Sequence, residues 1–283
     1  MTNRDRQIIE AVYHCRALTA PQIAALYFSK DGNQGEVNAR CKHRLRMLYH
    51  HGYLFRDEQP SKLSEGRKPL VYFLDQQGAE FLASSQEAEI DWDRHDNNVL
   101  FPFLQHLLAT NDIRIAIILC TRKHEWEIIR WTDDKTLKSP QMKDKVKLKN
   151  ERGKGLQAAI VPDGYCRLRT HEDTYNFFVE IDRGTVTGEA TKWGKRDWGR
   201  KIKAYLEYYR SGMYQSRYAT RDLRILTVTT GETRLSHLKA ITEGEGGKGR
   251  FWFSTFNRIT GRDILTDPVW SIANREGLWG LLS

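Results

Sequence analysis

Apolar positions recur at helical spacing from the first residues of the chain. Ile8, Ile9, Val12 and Tyr13 fall on one face of a helix that begins near residue 4. Thr19, followed by Ala20, Pro21 and Gln22, starts a second helix. A threonine oxygen accepts an otherwise unpaired N–H of a first turn, where proline lacks only a donor that would go unused. Ile23, Leu26 and Tyr27 then face inward. A polar, glycine-bearing loop runs from Ser29 to Gly35, and a third helix is expected over 36–50. Val37, Cys41, Leu45 and Leu48 form its buried stripe, and Gly52 supplies the stop. Two short strands follow, 53–56 and 70–74, joined by a polar loop, and then a short helix over 76–83.

After a polar, acidic stretch at 84–91 the pattern resumes. Val99, Leu100, Phe103, Leu104, Leu107 and Leu108 predict a helix from about His95 to Ala109. The unbroken apolar run Ile113 to Cys120 predicts a buried strand, and the alternation from Glu125 to Trp131 another. Residues 133–155 are polar and rich in lysine, and read as a long exposed insertion. Two strands that end in carboxylates come next. One carries Pro162-Asp163-Gly164 at its exit; in the other, Phe177, Val179 and Ile181 face one way and Phe178, Glu180 and Asp182 the other. A basic helix over 197–210, with Trp198, Ile202, Tyr205 and Tyr209 inward, precedes a strand at 223–229, a helix at 233–242 and a strand at 250–256. The expected fold class is α+β in two domains, 1–84 and 95–283, with 85–94 as linker.

Composition narrows the partner. Among 283 residues, 45 Lys and Arg stand against 36 Asp and Glu, a formal net charge of +9. Such an excess favours a phosphate backbone or another acidic surface. The start carries no apolar signal segment, and no run approaches the roughly 20 apolar residues of a membrane span. Cys15, Cys41, Cys120 and Cys166 lack the paired spacing of a zinc knuckle or disulfide framework, so a reducing cytoplasm is the expected setting, without a membrane partner.

The positive charge is local. Arg40, Lys42, His43, Arg44 and Arg46 lie on the third helix with no acid among them, and Lys62, Arg67 and Lys68 lie in the loop between the two short strands. Three helices and a basic hairpin are the parts of a winged helix-turn-helix, whose third helix enters the major groove of double-stranded DNA. A second basic stretch, Lys192, Lys195, Arg196, Arg200, Lys201 and Lys203, contains a single acid, Asp197, and is expected to touch the DNA backbone. Asp163, Glu180 and Asp182 could share one divalent ion through hard oxygen ligands, which would activate water and polarise a phosphate. The same residues would also suit two strands ending in polar turns, with Asp182 and Arg183 as a structural ion pair.

The chain resembles the replication-relaxation proteins of bacterial plasmids and other mobile elements. In the first half the resemblance rests on Leu18-Thr19-Ala20-Pro21-Gln22-Ile23, Arg44-Leu45-Arg46-Met47-Leu48, Gly52-Tyr53-Leu54 and Val71-Tyr72-Phe73-Leu74 with Gly78. In the second it rests on His95, Pro162-Asp163-Gly164, Val179 to Thr185, and Lys201-Ile202 with Tyr205. It implies a winged helix followed by a domain similar to the PD-(D/E)xK restriction-endonuclease fold, a mixed central sheet flanked by helices. Asp163 and Glu180 match that pattern. The lysine expected two residues after the glutamate is replaced by Asp182, and Lys201 on the next helix is the candidate to stand in for it. Three readings follow: a DNA-binding protein of a mobile element acting in replication or DNA processing; a Mg2+- or Mn2+-dependent endonuclease or nickase using Asp163, Glu180 and Asp182 with Lys201; and a winged-helix repressor whose second domain dimerises. Double-stranded DNA, a second copy of the chain and the element's replication or transfer proteins are the expected partners.

Overall fold

The structure, a computed structural model, describes residues 1–29, 37–61, 66–86, 90–149, 155–184 and 197–282. It combines α and β elements and divides into two compact units, 1–115 and 116–283.

The first unit contains α1 (Asn3–Cys15), β1 (Leu18–Thr19), α2 (Ala20–Tyr27), α3 (Ala39–His50), β2 (Leu54–Asp57), β3 (Val71–Leu74), α4 (Gln76–Gln86) and a 3₁₀ turn at Arg94–Asn97, and ends within α5 (Phe101–Lys123). Its antiparallel sheet has the order β1-β3-β2. Reciprocal capping boxes start α1 (Thr2 with Asp5) and α2 (Thr19 with Gln22), so free N–H groups at both ends are satisfied locally. Helix α3 stops at Gly52, whose φ of 68° suits a residue without a Cβ. There the Tyr53 N–H reaches back to the Leu48 carbonyl at 3.0 Å.

Helix α5 corrects two expectations. The helix expected at 95–109 and the strand expected at 113–120 are one element of 23 residues. A short apolar run does not by itself distinguish a buried strand from a buried helix turn. The polar residues in mid-helix bind neighbouring chain rather than break it: Asn111 donates to the carbonyls of Cys15 and Ala17 at 3.0 and 2.8 Å, and Gln22 donates to the Leu108 carbonyl at 3.0 Å. Leu104 and Leu108 pack with Ala17, Val71 and Phe73, so the chain beyond the expected 85–94 linker still builds the first unit. By length and composition alone α5 is also apolar enough to cross a membrane, contrary to the expectation that no run is; its polar ties are those of a core helix.

The second unit takes in β4 (Glu127–Asp133), α6 (Asp134–Leu137), β5 (Asp144–Lys149), β6 (Gly155–Ile160), β7 (Gly164–Arg169), β8 (Thr174–Asp182), α7 (Trp198–Ser211), α8 (Met213–Tyr218), β9 (Arg224–Thr229), α9 (Glu232–Gly244), β10 (Phe251–Thr255), α10 (Phe256–Ile259) and β11 (Ser271–Ile272). A mixed six-stranded sheet has the order β11-β10-β9-β8-β7-β4, with β8, β9 and β10 parallel and the other pairings antiparallel. Strands β5 and β6 pair apart from it. The expected insertion at 133–155 therefore contains structured chain. Val146 and Leu148 alternate with Lys145 and Lys147, and with Leu137 they are buried in the main core. The lysines obscured a period of two. That core joins Phe178, Ile225, Phe251 and Phe253 of the sheet to Trp198, Ile202, Tyr205 and Tyr208 of α7 and Leu235 and Leu238 of α9.

Candidate functional site

The face of β8 that carries Phe178 continues through Glu180 and Asp182 toward α7 and α9. Registered partners on adjacent strands share a face, so Thr227 stands beside Glu180 and Thr229 beside Asp182. Asp163 immediately precedes β7 rather than closing the preceding strand. Its N–H donates to the Val179 carbonyl at 3.0 Å, and its Oδ2 accepts the Ile181 N–H at 2.8 Å. These two bonds fix Asp163 against the Glu180 segment.

Glu180 is 1 % exposed. The Lys201 ammonium pairs with its Oε2 and the Tyr205 hydroxyl donates to its Oε1, both from α7. Lys201 and Tyr205 are four residues apart, one helical turn, so both look down on the same strand position. Burial pushes the Glu180 carboxyl up to about 7; Lys201 opposes this and the charge of Asp163 adds to it. Burial pulls the Lys201 ammonium down, but Glu180, Asp163 and Asp182 more than offset it, so the amine stays protonated above the ordinary lysine range. Burial and the Glu180 charge hold the Tyr205 phenol well above its usual value. The site therefore keeps a cation beside a carboxyl that titrates near neutrality.

Asp182 belongs to a different arrangement. Arg234 of α9 grips it with two bonds of 2.9 Å, Thr229 donates to it at 2.7 Å, and the Gly184 N–H approaches at 3.4 Å. Burial would raise its carboxyl, but the Arg234 and Thr229 hydrogen bonds outweigh that and hold it below the usual aspartate range. The three carboxylates do not form one metal-binding set, and among the described residues no group of three His, Cys, Asp or Glu side chains is placed to hold a metal. The reason is a partner 52 residues away in sequence, where Arg183 or Lys201 was expected. Asp163 and Glu180 remain as hard oxygen donors. Thr227 Oγ1, on the same face, is buried without a hydrogen-bond partner. Asp163 and Glu180 are the carboxylates that could offer oxygens to Mg2+ or Mn2+, although both Glu180 oxygens are already engaged by Lys201 and Tyr205.

On α3, Arg40, Lys42, His43 and Arg46 are exposed. Arg44 is not available in the same way. Its Nε donates to Asp5 Oδ1 at 2.9 Å and its Nη2 binds Oδ2 of the same carboxylate, which is 1 % exposed and also caps α1. Arg44 thus fastens α3 to α1. Lys42 and Arg46, with Arg56 of β2, line a cavity of about 740 Å³ whose floor includes Leu45 and Tyr72. Arg56 lies 4.1 Å above the Tyr49 ring. In the loop between β2 and β3, Arg67 pairs with the exposed Glu58, and the Lys68 ammonium sits 5.2 Å over the Phe101 ring. Lys195 and Arg196 lie outside the described residues. Arg200 is half-buried in the first turn of α7, where Asp197 caps its N–H at 2.6 Å, and Lys203 is 3.2 Å from Glu245. His95 is exposed within the 3₁₀ turn of the first unit.

Sequence reasoning had not assigned Tyr205, Thr227, Arg234 or Arg56 to any site. Tyr205 carried a signal, its spacing of four from Lys201. The others become partners only through the register of β9, the placement of α9 and the pairing of β2.

The sequence profile of the family described as replication-relaxation matches residues 9–223. The chain belongs to the replication-relaxation family. Among solved structures, those of the restriction endonuclease FokI, bound to DNA and free, are 13 % and 14 % identical to this family member. They align over 91 % and 90 % of its length with a TM-score of 0.25, too low to carry any inference. The chain spans 43 % of each of those chains. No match was found among curated proteins.

Proposed function

We propose that this replication-relaxation protein binds double-stranded DNA through its first unit, a winged helix-turn-helix, in the replication or processing of a mobile element's DNA. The observation that carries the reading is the acid-free cationic surface of α3. Arg40, Lys42, His43 and Arg46 point outward, while Cys41, Leu45 and Leu48 hold the helix to its core. Arg56 extends that surface from β2, and in this reading the β2–β3 loop would serve as the wing. Helix α3 would lie in the major groove, α2 against the backbone. Lys42 and Arg46 take the place that Arg44 gives up to Asp5. Mobility shift of the full chain on duplex DNA at two salt concentrations tests this. Binding should weaken steeply with salt and fall with Lys42→Ala and Arg46→Ala together.

A second reading, metal-dependent cleavage of DNA, is favoured by one observation: Lys201 reaches Glu180 although the strand position itself holds Asp182. In this reading Asp163 and Glu180 would hold the ion, which when bound supplies Lewis acidity to a phosphodiester. Lys201 would balance charge on the phosphate, and Glu180, as a ligand of the ion, would stay ionised. Tyr205 fixes the Glu180 carboxyl. Asp182 has no part beyond holding β8 to α9. Nicking of supercoiled plasmid with Mg2+ or Mn2+, lost in Asp163→Asn and Lys201→Met, would establish it; no nicking by the wild-type chain would leave the second unit a binding module.

A further inference from the structure

On the second unit, β4 forms one edge of the sheet and is bulged where it meets β7. Ile128 opposes Leu168, yet the next registered pair is Arg130 with Arg167, because Ile129 is the extra residue. Bulges redirect side chains, and this one sets two arginines directly across from each other on one face. Like charges in that position destabilise a sheet. Among the described residues no carboxylate is bonded to the pair: Arg130 Nε donates to Thr132 Oγ1 at 3.0 Å, and Arg167 Nε is buried with no partner. Asp144, whose charge like that of Arg130 bears on Tyr218, is already held by two bonds of 2.6 Å from Arg217 and by the Tyr208 hydroxyl at 2.5 Å. Tyr165 donates to Asn176 at 2.7 Å and packs against Tyr218 with ring centres 4.3 Å apart, and the charge of Arg130 bears on both phenols.

We propose that Arg130 and Arg167 form an oxyanion site that takes a phosphate group. Two planar guanidinium forks match the oxygens of a phosphate, whose charge would cancel the repulsion between them. Tyr165 and Arg167 share one face of β7, and Arg167 lies four residues, ~13 Å of extended chain, beyond Asp163, which precedes the strand. A phosphodiester backbone near Asp163 would pass within reach of the pair. That the phosphate belongs to nucleic acid rests on the reading above; the oxyanion site itself does not.

The test uses the full chain as wild type, Arg130→Gln/Arg167→Gln, and Lys145→Gln as an exposed control. Thermal unfolding is measured in inorganic phosphate and in chloride at equal ionic strength. Phosphate should raise Tm in the wild type and in K145Q but not in the double variant, and the double variant should be the more stable protein in chloride. An equal phosphate effect in the double variant, or none in the wild type, overturns the site. In parallel, anisotropy with a labelled duplex reads the source: loss of the pair should flatten the salt dependence by about one unit of slope. An unchanged slope with a lost phosphate effect upholds the oxyanion site and assigns it to free phosphate or a small phosphate ester. Absence of any DNA binding by the wild type would end the DNA reading and leave the phosphate result to decide the site alone.

Discussion

Glu180→Gln should stabilise the protein, and only above the pH at which the carboxyl ionises. Glu180 is buried at 1 % exposure, and its carboxyl is raised from 4.5 to about 7, with burial as the largest cause. A raised folded-state value means that the group contributes stability that is fully present below the unfolded value and lost as pH climbs through the folded one. Between those limits the loss amounts to roughly 3 kcal/mol. Glutamine has the shape of the protonated acid and keeps an oxygen for the Tyr205 hydroxyl. It gives up the pairing with Lys201, whose effect is already contained in the raised value of the carboxyl. At pH 8 the variant should therefore gain about 3 kcal/mol, or roughly 6–12 °C in Tm for a unit of this size. At pH 4 the two proteins should nearly coincide. Thermal unfolding of both across that range is the assay. A difference that does not change with pH, or a variant less stable at pH 8, would refute the assignment of a strained, near-neutral carboxyl.

Arg44→Ala should lower stability by roughly 1–3 kcal/mol in urea unfolding, because the buried Asp5 loses its partner; the deficit should shrink as pH falls far enough to protonate Asp5, whose carboxyl is held below the usual range. Arg234→Ala should cost roughly 3–5 kcal/mol by leaving Asp182, 3 % exposed, as an uncompensated buried charge, and Asp182→Asn in the same background should recover part of it. Gly78→Ala should destabilise by roughly 1–3 kcal/mol, since a Cβ there would stand 2.3 Å from the Tyr53 carbonyl oxygen, and circular dichroism melts would show it.

What could be read from sequence was what local physics decides. The capping residue Thr19, the stripe Cys41-Leu45-Leu48 and the alternation through Glu180 each depend on neighbours within a turn or two. Lys201 facing Glu180 follows the same logic, since the stripe Trp198-Ile202-Tyr205 orients α7 and leaves Lys201 at its edge. The reading failed where a long-range partner decides. Asn111, in a chain segment with a polar break, is helical because two carbonyls nearly a hundred residues away accept its amide. Asp182 looked like a ligand until α9 brought Arg234 to it, and Arg44 looked like a reader of DNA until α1 presented Asp5. In each case charge identified a reactive group, and only tertiary placement showed what neutralises it.

The central claim, that α3 presents a DNA-binding surface, is tested most directly by measuring duplex affinity of the full chain as a function of salt for the wild type, for Lys42→Ala/Arg46→Ala and for Arg67→Ala. The account predicts tight, salt-dependent binding by the wild type. It predicts a slope about two units shallower in the α3 double variant, and a small change in Arg67→Ala, whose charge is already shared with Glu58. Undiminished affinity and an unchanged slope in the α3 variant would contradict it.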